Sequence, residues 1–289
     1  MDIQAYAKIN LTLDVLDRRT DGYHIVKMIM QNISLYDNLS FSRGNSGIEI
    51  TTNHPHLPTG PSNLVYKAAE LLFNEFNLDG GLEIFIDKQI PVAAGLAGGS
   101  TNAAATLVAI NKLWGLGLTK DQLATRGAQL GADIPFCIKG GTQLATGIGT
   151  QLKELPTCPK LYLVVVNPPL EVSTAQVYQN LTLDEVTKHP ETTKVIKALE
   201  EKNKKMVINN LSNLLELTTF DLYQEVATLK DNVESLTNKA LMSGSGPTVL
   251  GFVKNKSQAK AVQAKLQEEL SSKHRILVAQ TVNHGLLDS

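Results

Sequence analysis

The chain has 289 residues, of which 43% are hydrophobic and 19% charged, and its 27 basic side chains nearly balance its 28 acidic ones. At roughly 150 residues per domain, this length predicts about two domains with enough core to fold without metals or disulfides. The composition is that of a soluble globular protein and excludes a disordered chain, and the balanced charge argues against a basic nucleic-acid-binding surface.

Cysteine usage and apolar runs indicate a cytoplasmic protein that does not enter membranes. Cys137 and Cys158 form no CxxC pair and have no paired histidines nearby, which argues against a disulfide framework and a zinc site. The first residues lack the basic and apolar segments of a signal peptide. The longest strongly apolar run, 161–166, is far shorter than the ~20 residues that cross a bilayer.

The chain begins with an alternating pattern. Odd positions over 5–15 are apolar and even positions are polar or amphipathic, which predicts a half-buried strand with Lys8, Asn10 and Thr12 on one face. An Asp- and Gly-containing turn at 18–22 and an extended pattern over 25–33 follow, so we expect a hairpin or meander.

Helical and extended patterns then alternate, which favours an α+β protein in two layers. The predicted elements are a helix over about 62–76 with Ser62 as N-cap, a strand at 82–86, helices over 101–113 and 121–130, a strand at 161–166, helical stretches within 171–217 and 220–236, a segment over 240–253 that contains an apolar strand, and a final helix–strand pair. The change of character near residues 155–160 places the domain junction there, giving domains 1–157 and 158–289.

A small-residue stretch from Pro91 to Asn102 leads into the predicted helix at 101–113. Few side chains would hinder an anion there, and the first turn of a helix offers unpaired NH groups and about half a positive charge. We therefore predict a phosphate-binding loop. It lacks the GKS or GKT ending of P-loop NTPases and the GxGxxG of Rossmann folds. Tight helix–strand packing is the alternative explanation for these residues.

A second small-residue loop, 242–248, is either a Gly-rich turn or the opposite wall of a cleft. Three polar residues are candidates for chemistry, each with an ordinary alternative. Asp133, before Pro135, is either a tuned base or a helix N-cap, and Lys8 is either part of a polar cluster or a solvated strand lysine. His24 is a ligand or stacking group, or a structural loop histidine. The histidines have no metal-site spacing, which argues against a metallohydrolase.

Five segments together resemble the GHMP small-molecule kinases: AKINL at 7–11, DGYH at 21–24, the loop at 91–102, GADIPF at 131–136 and SGSGP at 243–247. The resemblance extends from about residue 5 to residue 253. It implies an N-terminal domain like ribosomal protein S5 domain 2, a C-terminal ferredoxin-like domain, and an active site in the cleft between them. It is strongest to members that use ATP to phosphorylate the 2-hydroxyl of a cytidine diphosphate-linked methylerythritol in isoprenoid precursor synthesis.

The resemblance also implies residue roles. Asp133 would be the catalytic base that takes the proton of the 2-hydroxyl, and Lys8 would be its partner. Asn10 would touch the erythritol end, Tyr23 and His24 would recognise cytosine, and Tyr178 would stack on its other face. ATP and Mg²⁺ would be required, with Ser100 as a candidate metal ligand. The implied ATP-binding residues are Asn63, Leu64, Pro91, Val92, Ala93, Ala94, Gly95, Leu96, Ala97, Gly98, Gly99, Ser100 and Thr101.

Two positions depart from the common family pattern. Tyr6 stands where Pro usually precedes AKINL, and Ala97 replaces a loop Gly, so we expect effects on loop geometry and turnover. Two alternatives remain at this stage: a kinase of the same family for another small alcohol, which would not need the cytosine-site residues, and a non-catalytic nucleotide-binding homologue. Loss of Lys8 or Asp133 would be typical of the latter, and both residues are present.

Overall fold

The computed structural model of the chain describes residues 1–286, which form two β-sheets flanked by helices. The strands are β1 (Asp2–Arg18), β2 (His24–Gly44), β3 (Gly47–Thr52), β4 (Gly81–Asp87), β5 (Thr142–Thr146), β6 (Gln151–Glu154), β7 (Tyr162–Asn167), β8 (Ser212–Asn213), β9 (Lys239–Met242), β10 (Val249–Val253) and β11 (Arg275–Gln280). The helices are α1 (Leu64–Phe76), α2 (Gly98–Leu113), α3 (Lys120–Gly127), α4 (Ile134–Lys139), α5 (Thr174–Gln179), α6 (Thr192–Glu200), α7 (Lys204–Asn209), α8 (Leu215–Leu222), α9 (Gln224–Leu236) and α10 (Lys256–Glu269), with a 3₁₀ turn at Leu183–Glu185.

The first sheet is built around the antiparallel hairpin of β1 and β2, which confirms the predicted opening of the chain. Its strand order is β3-β4-β2-β1-β8, with β5 on the free edge of one end of β2 and β6 beside β5. The second sheet has the order β11-β7-β10-β9 and is antiparallel throughout. The α+β, two-domain expectation is therefore confirmed.

The boundary between residues 157 and 158 stays a prediction, and it falls between β6 and β7. Two later segments lie against the first sheet. Ser212 and Asn213 of β8 pair with Thr12 and Leu13 of β1, and Thr281 forms a bridge with Ile33 of β2. The chain thus returns to the first sheet twice after β7.

β1 is buried on both faces, which corrects the prediction of a half-buried strand: Lys8 is 5% exposed and Asn10 is fully buried. Its pairing with β2 shifts between Tyr6 and Lys8 and again between Asn10 and Thr12. Side chains can turn to the opposite face of a sheet at such irregularities, and Ala7, Ile9 and Leu11 pack in a different core from Ala5 and Leu13. Residues 7–11 are therefore rotated relative to their flanks, and Thr12 does not continue the face of Lys8 and Asn10 as predicted.

The two cores of the protein follow from this rotation. The odd side chains outside the rotated segment, such as Leu13, join a core with α1 and α2. Those inside it, such as Ile9, join a second core that includes Leu163 and Val165 of the second sheet. The rotated segment of β1 therefore packs the two sheets together while Lys8 and Asn10 point to the other side.

Several predicted helix ends are wrong by a few residues. α1 is capped by Asn63, whose side chain accepts from the Val65 N–H, and not by Ser62. α2 begins at Gly98 and not at residue 101, so the end of the predicted loop is the first turn of the helix. α3 ends at Gly127, earlier than the predicted 130. The early start of α2 matters most, because it aims unpaired N–H groups into the cleft described below.

Candidate active site

The small-residue loop between β4 and α2 is held by both domains. The Lys8 N–H of β1 donates to the Leu96 carbonyl at 3.1 Å. From the second sheet, the Ser243 hydroxyl donates to the Gly95 carbonyl at 3.0 Å. Gly95 has φ +71°, and a Cβ there would collide with the Ser243 carbonyl. The second Gly-rich loop, 242–248, therefore forms a wall of the cleft, which is one of the two roles predicted for it.

A cavity of about 360 Å³, here called the loop cavity, lies between this loop and the start of α1. All predicted ATP-binding residues line it except Leu96 and Thr101. The Leu96 side chain is buried in the second core, so only its backbone belongs to the loop, and Thr101 is 1% exposed. Asn63 lines the cavity too, but its side chain caps α1.

Sequence reasoning missed Lys88, which lies directly after β4 and also lines the loop cavity. Its Nζ donates to Asp37 Oδ2 at 2.5 Å and to the Ile90 carbonyl at 2.9 Å. A Cβ on Gly98 would lie 2.8 Å from this Nζ. Burial lowers the pKa of Lys88, and the charge of Asp37 opposes that shift. A buried cation thus sits beneath the first turn of α2, although the loop itself has no lysine.

A larger cavity of about 640 Å³, here called the central cavity, adjoins the loop cavity. It is lined by Lys8, Asp133, Tyr23, His24 and Tyr178. The structure therefore brings together five predicted residues from four separate parts of the sequence. The residues that line both cavities are Gly95, Ala97, Ser100 and Thr174.

Lys8 and Asp133 face each other in the central cavity. Lys8 Nζ lies 3.7 Å from Asp133 Oδ2 and donates to Asn10 Oδ1 at 3.0 Å. Asn10 Nδ2 contacts Met28 Sδ at 3.2 Å, so the amide is held with its oxygen toward the lysine. Asn10 does not line the cavity and instead stands behind Lys8.

The N-cap alternative for Asp133 does not agree with the structure. The residue precedes α4 with helical backbone angles, and its side chain makes no capping hydrogen bond. Pro135 in the first turn removes one N–H that a cap would satisfy. The carboxylate, 31% exposed, is therefore directed into the cavity and toward Lys8.

Aromatic side chains form the far end of the central cavity. The rings of His24 and Tyr178 lie 5.0 Å apart, and Tyr23 beside them is 62% exposed. Burial lowers the pKa of His24, with a smaller contribution from the charge of Arg18, so the imidazole is neutral near pH 7. Burial likewise raises the pKa of Tyr178, which stays protonated. This end offers flat apolar faces with neutral hydrogen-bonding groups.

The two halves of the chain match family models in order. The description "GHMP kinases N terminal domain" matches residues 63–141, and "GHMP kinases C terminal" matches residues 179–272. A 4-diphosphocytidyl-2-C-methyl-D-erythritol kinase of Clostridium botulinum (strain Alaska E43 / Type E3) is 45% identical over 93% of this chain and 96% of its own. The chain belongs to the GHMP kinase family.

Other relatives of this GHMP kinase have the same name or share its fold. The Bacillus cereus (strain AH187) protein of the same name is 47% identical over 89% of each chain. A crystal structure of a 4-(cytidine 5′-diphospho)-2C-methyl-D-erythritol kinase superposes with a TM-score of 0.83 at 31% identity, covering 99% of this chain and 100% of that one. A homoserine kinase from Cytophaga hutchinsonii shares the fold at a TM-score of 0.75 and 17% identity, covering 98% and 96%.

Both departures from the family pattern are accommodated locally in this kinase. Ala97 precedes α2 in the left-handed region, at φ 57°, where a non-glycine residue costs roughly 1 kcal/mol. The ring of Tyr6 packs edge-on against Tyr36 and His284, outside both cavities. The extra bulk beside Lys8 is therefore taken up by the C-terminal segment.

Residues 1–286 contain neither a membrane-spanning helix nor a cluster of metal-binding side chains. No helix in that range is long and apolar enough to cross a bilayer. The same range holds no cluster of three or more His, Cys, Asp or Glu side chains that suits a metal ion.

Proposed function

We propose that this kinase transfers the γ-phosphate of ATP to the 2-hydroxyl of 4-diphosphocytidyl-2-C-methyl-D-erythritol, the compound that appears in the names of its relatives. The observation that carries the proposal is the junction of the two cavities. One cavity has a backbone loop suited to phosphate, and the adjoining cavity has flat aromatic groups suited to a base together with the Lys8–Asp133 pair in its lining. Mevalonate or homoserine would leave the aromatic end unused.

ATP binds in the loop cavity in this proposal. The N–H groups of residues 95–100 and the N-terminus of α2 hold the phosphates, since backbone donors at a helix start suit anions without a loop lysine. Asn63 and Leu64 lie beside adenine and contribute contact surface, because the Asn63 side chain caps α1 and its N–H and carbonyl are bonded to Gly60 and Lys67. Ser100 lines both cavities and therefore lies beside the γ-phosphate.

Mg²⁺ is part of the same proposal. This ion keeps several waters and takes few protein ligands, so a site with only the Ser100 hydroxyl and the phosphate oxygens fits its preference. When bound, it would neutralise charge that develops on the phosphates.

The cytidylyl substrate occupies the central cavity in this proposal. Tyr23 and Tyr178 stack on the faces of cytosine, and neutral His24 hydrogen-bonds to its edge. The erythritol end then reaches Lys8 and Asp133. Asn10 acts through Lys8, which it orients, and its direct contact with the erythritol end stays a prediction.

The chemical step needs positioning more than bond-making by the protein. The Asp133 carboxylate accepts the proton of the 2-hydroxyl as that oxygen attacks the γ-phosphorus. Lys8 holds the hydroxyl oxygen and stabilises the negative charge of the transition state. Its buried ammonium is aimed by Asn10, so little reorganisation is needed when the substrate arrives.

A coupled ADP-release assay tests the proposal with the cytidylyl substrate, mevalonate and homoserine side by side. We expect turnover of the cytidylyl compound alone, dependent on Mg²⁺. Turnover of mevalonate or homoserine without turnover of the cytidylyl compound would overturn the substrate assignment. We further propose a cytoplasmic location with no nucleic-acid or membrane partner, consistent with two buried free cysteines.

A further inference from the structure

Two adjacent arginines lie at the end of β1 and have different surroundings: Arg18 is the last residue of the strand, and Arg19 follows it. Arg19 forms a bidentate ion pair with Asp21, with its Nη2 at 2.7 Å and its Nε at 3.1 Å from carboxylate oxygens. The Arg18 guanidinium makes no ion pair or hydrogen bond with any residue of the described range 1–286. Arg18 nevertheless lines the central cavity, whereas Arg19 does not.

The charge balance of the central cavity makes Arg18 its unpaired cation. The other charged side chains in the lining are Lys8, Asp133 and Asp21. Lys8 faces Asp133, and Asp21 is paired with Arg19. Arg18 therefore leaves one uncompensated positive charge at the rim, where a guanidinium is available to an anionic ligand.

Arg18 lies at the end of the central cavity where cytosine is proposed to bind. In the β1–β2 hairpin Arg18 lies directly opposite His24, and its charge contributes to the lowered pKa of that imidazole. A ligand whose base contacts His24 lies in the same cavity that Arg18 lines. The diphosphate of the proposed substrate joins the cytidine to the erythritol, so it must lie between His24 and the Lys8–Asp133 pair.

We propose that Arg18 binds the diphosphate of the substrate and makes the central cavity selective for cytidine diphosphate compounds over uncharged cytidine derivatives. This inference rests on the proposed function. A guanidinium presents a planar fork of donors that matches two phosphate oxygens at once. Because Arg18 has no protein partner to give up, binding of the diphosphate costs no broken ion pair.

The test compares cytidine with CDP by calorimetry, in wild type, Arg18→Gln and Arg18→Lys. Wild type should bind CDP more tightly than cytidine. Arg18→Gln should raise the Kd of CDP about 10-fold, since a charge-assisted hydrogen bond at an exposed rim is lost, and leave that of cytidine unchanged. Arg18→Lys should fall between them, because the charge remains but the fork is lost. In turnover, Arg18→Gln should raise the KM for the cytidylyl substrate and preserve kcat and the KM for ATP.

Three other outcomes would contradict either the inference or the proposed function. Equal weakening of CDP and cytidine would mean that Arg18 acts through His24 or the fold of the hairpin. No change for either ligand would leave Arg18 a solvated surface residue. Wild type that binds neither ligand would instead overturn the proposed function itself.

Discussion

Asp133 Oδ2 lies 3.7 Å from Lys8 Nζ, although one residue precedes a helix and the other lies within a strand. Two local irregularities produce this relationship. The shifts in β1 pairing turn Lys8 away from the second core, and the Asp133 carboxylate makes no capping bond to α4. Neither side chain packs in the second core or caps a helix. Substitutions at this pair should therefore change the rate of catalysis with little effect on the stability of the fold.

Asp133→Asn should lower kcat by about 10²- to 10⁴-fold, the usual contribution of a positioned general base. The melting temperature and the ATP Kd should stay close to wild type, because the carboxylate caps no helix and the phosphate loop is untouched. Steady-state kinetics, thermal melts and calorimetry on one preparation check all three. Near wild-type turnover would remove Asp133 from the mechanism.

Lys8→Met should also lower kcat, because the transition-state charge loses its cation. The double variant of Lys8→Met and Asp133→Asn should be little slower than the slower single variant, since groups that act on one transition state are not additive. Rate losses that multiply in the double variant would mean that the two residues act independently.

Gly95→Ala should separate the two loops that form the cleft. A Cβ would strike the Ser243 carbonyl, and φ +71° is unfavourable for alanine, so we expect a loss of about 1–3 kcal/mol in the free energy of unfolding and weaker ATP binding. Gly60→Ala is the matched control, because a Cβ there meets no heavy atom within 4 Å. Denaturant unfolding and calorimetry measure both effects, and equal behaviour of the two variants would contradict the contact.

Lys88→Met should destabilise the kinase by about 3–5 kcal/mol, because the fully buried Asp37 carboxylate would lose its counter-charge. Asp37 also accepts from the Gln89 and Ile90 N–H groups, which an asparagine can still satisfy. Combining Lys88→Met with Asp37→Asn should therefore recover part of the stability lost by Lys88→Met. A double variant less stable than Lys88→Met alone would argue against this ion pair as the cause.

Tyr178→Ala should raise the KM for the cytidylyl substrate, since stacking on a base is worth about 1 to 3 kcal/mol, and should leave the KM for ATP nearly unchanged. Tyr178→Phe keeps the ring and is the control, for which we expect both constants near wild type. Steady-state kinetics with each substrate varied in turn provide the comparison. Equal losses for both substrates in Tyr178→Ala would indicate a disturbed domain and not a lost stacking partner.

Local patterns in the sequence predicted much of the fold and the small-residue loop, whereas the roles of Asn63, Tyr23 and Tyr178 followed only from the family resemblance. Contacts between distant segments account for what both missed. The hairpin of β1 and β2 and the small-residue loop have signals of their own, in alternation and in composition. Lys88 has none, because a lysine after a strand is usually solvated and only the fold places Asp37 beside it. Likewise, apolar and polar residues alternate over residues 5–15 without interruption, although the β1–β2 pairing is irregular on both sides of Lys8. These irregularities are visible only in the pairing of β1 with β2.

The return of the chain to the first sheet has a consequence for motion. β8 beside Thr12 and Leu13, and Thr281 beside Ile33, tie the second half of the chain to the first in addition to the link after β6. A kinase whose lobes swing about a single hinge closes on its ligands, but these crossings resist such rotation. The radius of gyration from small-angle X-ray scattering should therefore stay constant when a non-hydrolysable ATP analogue and CDP are added. A clear contraction would show that the crossings bend, whereas constancy would mean that ligands enter a cleft already shaped for them.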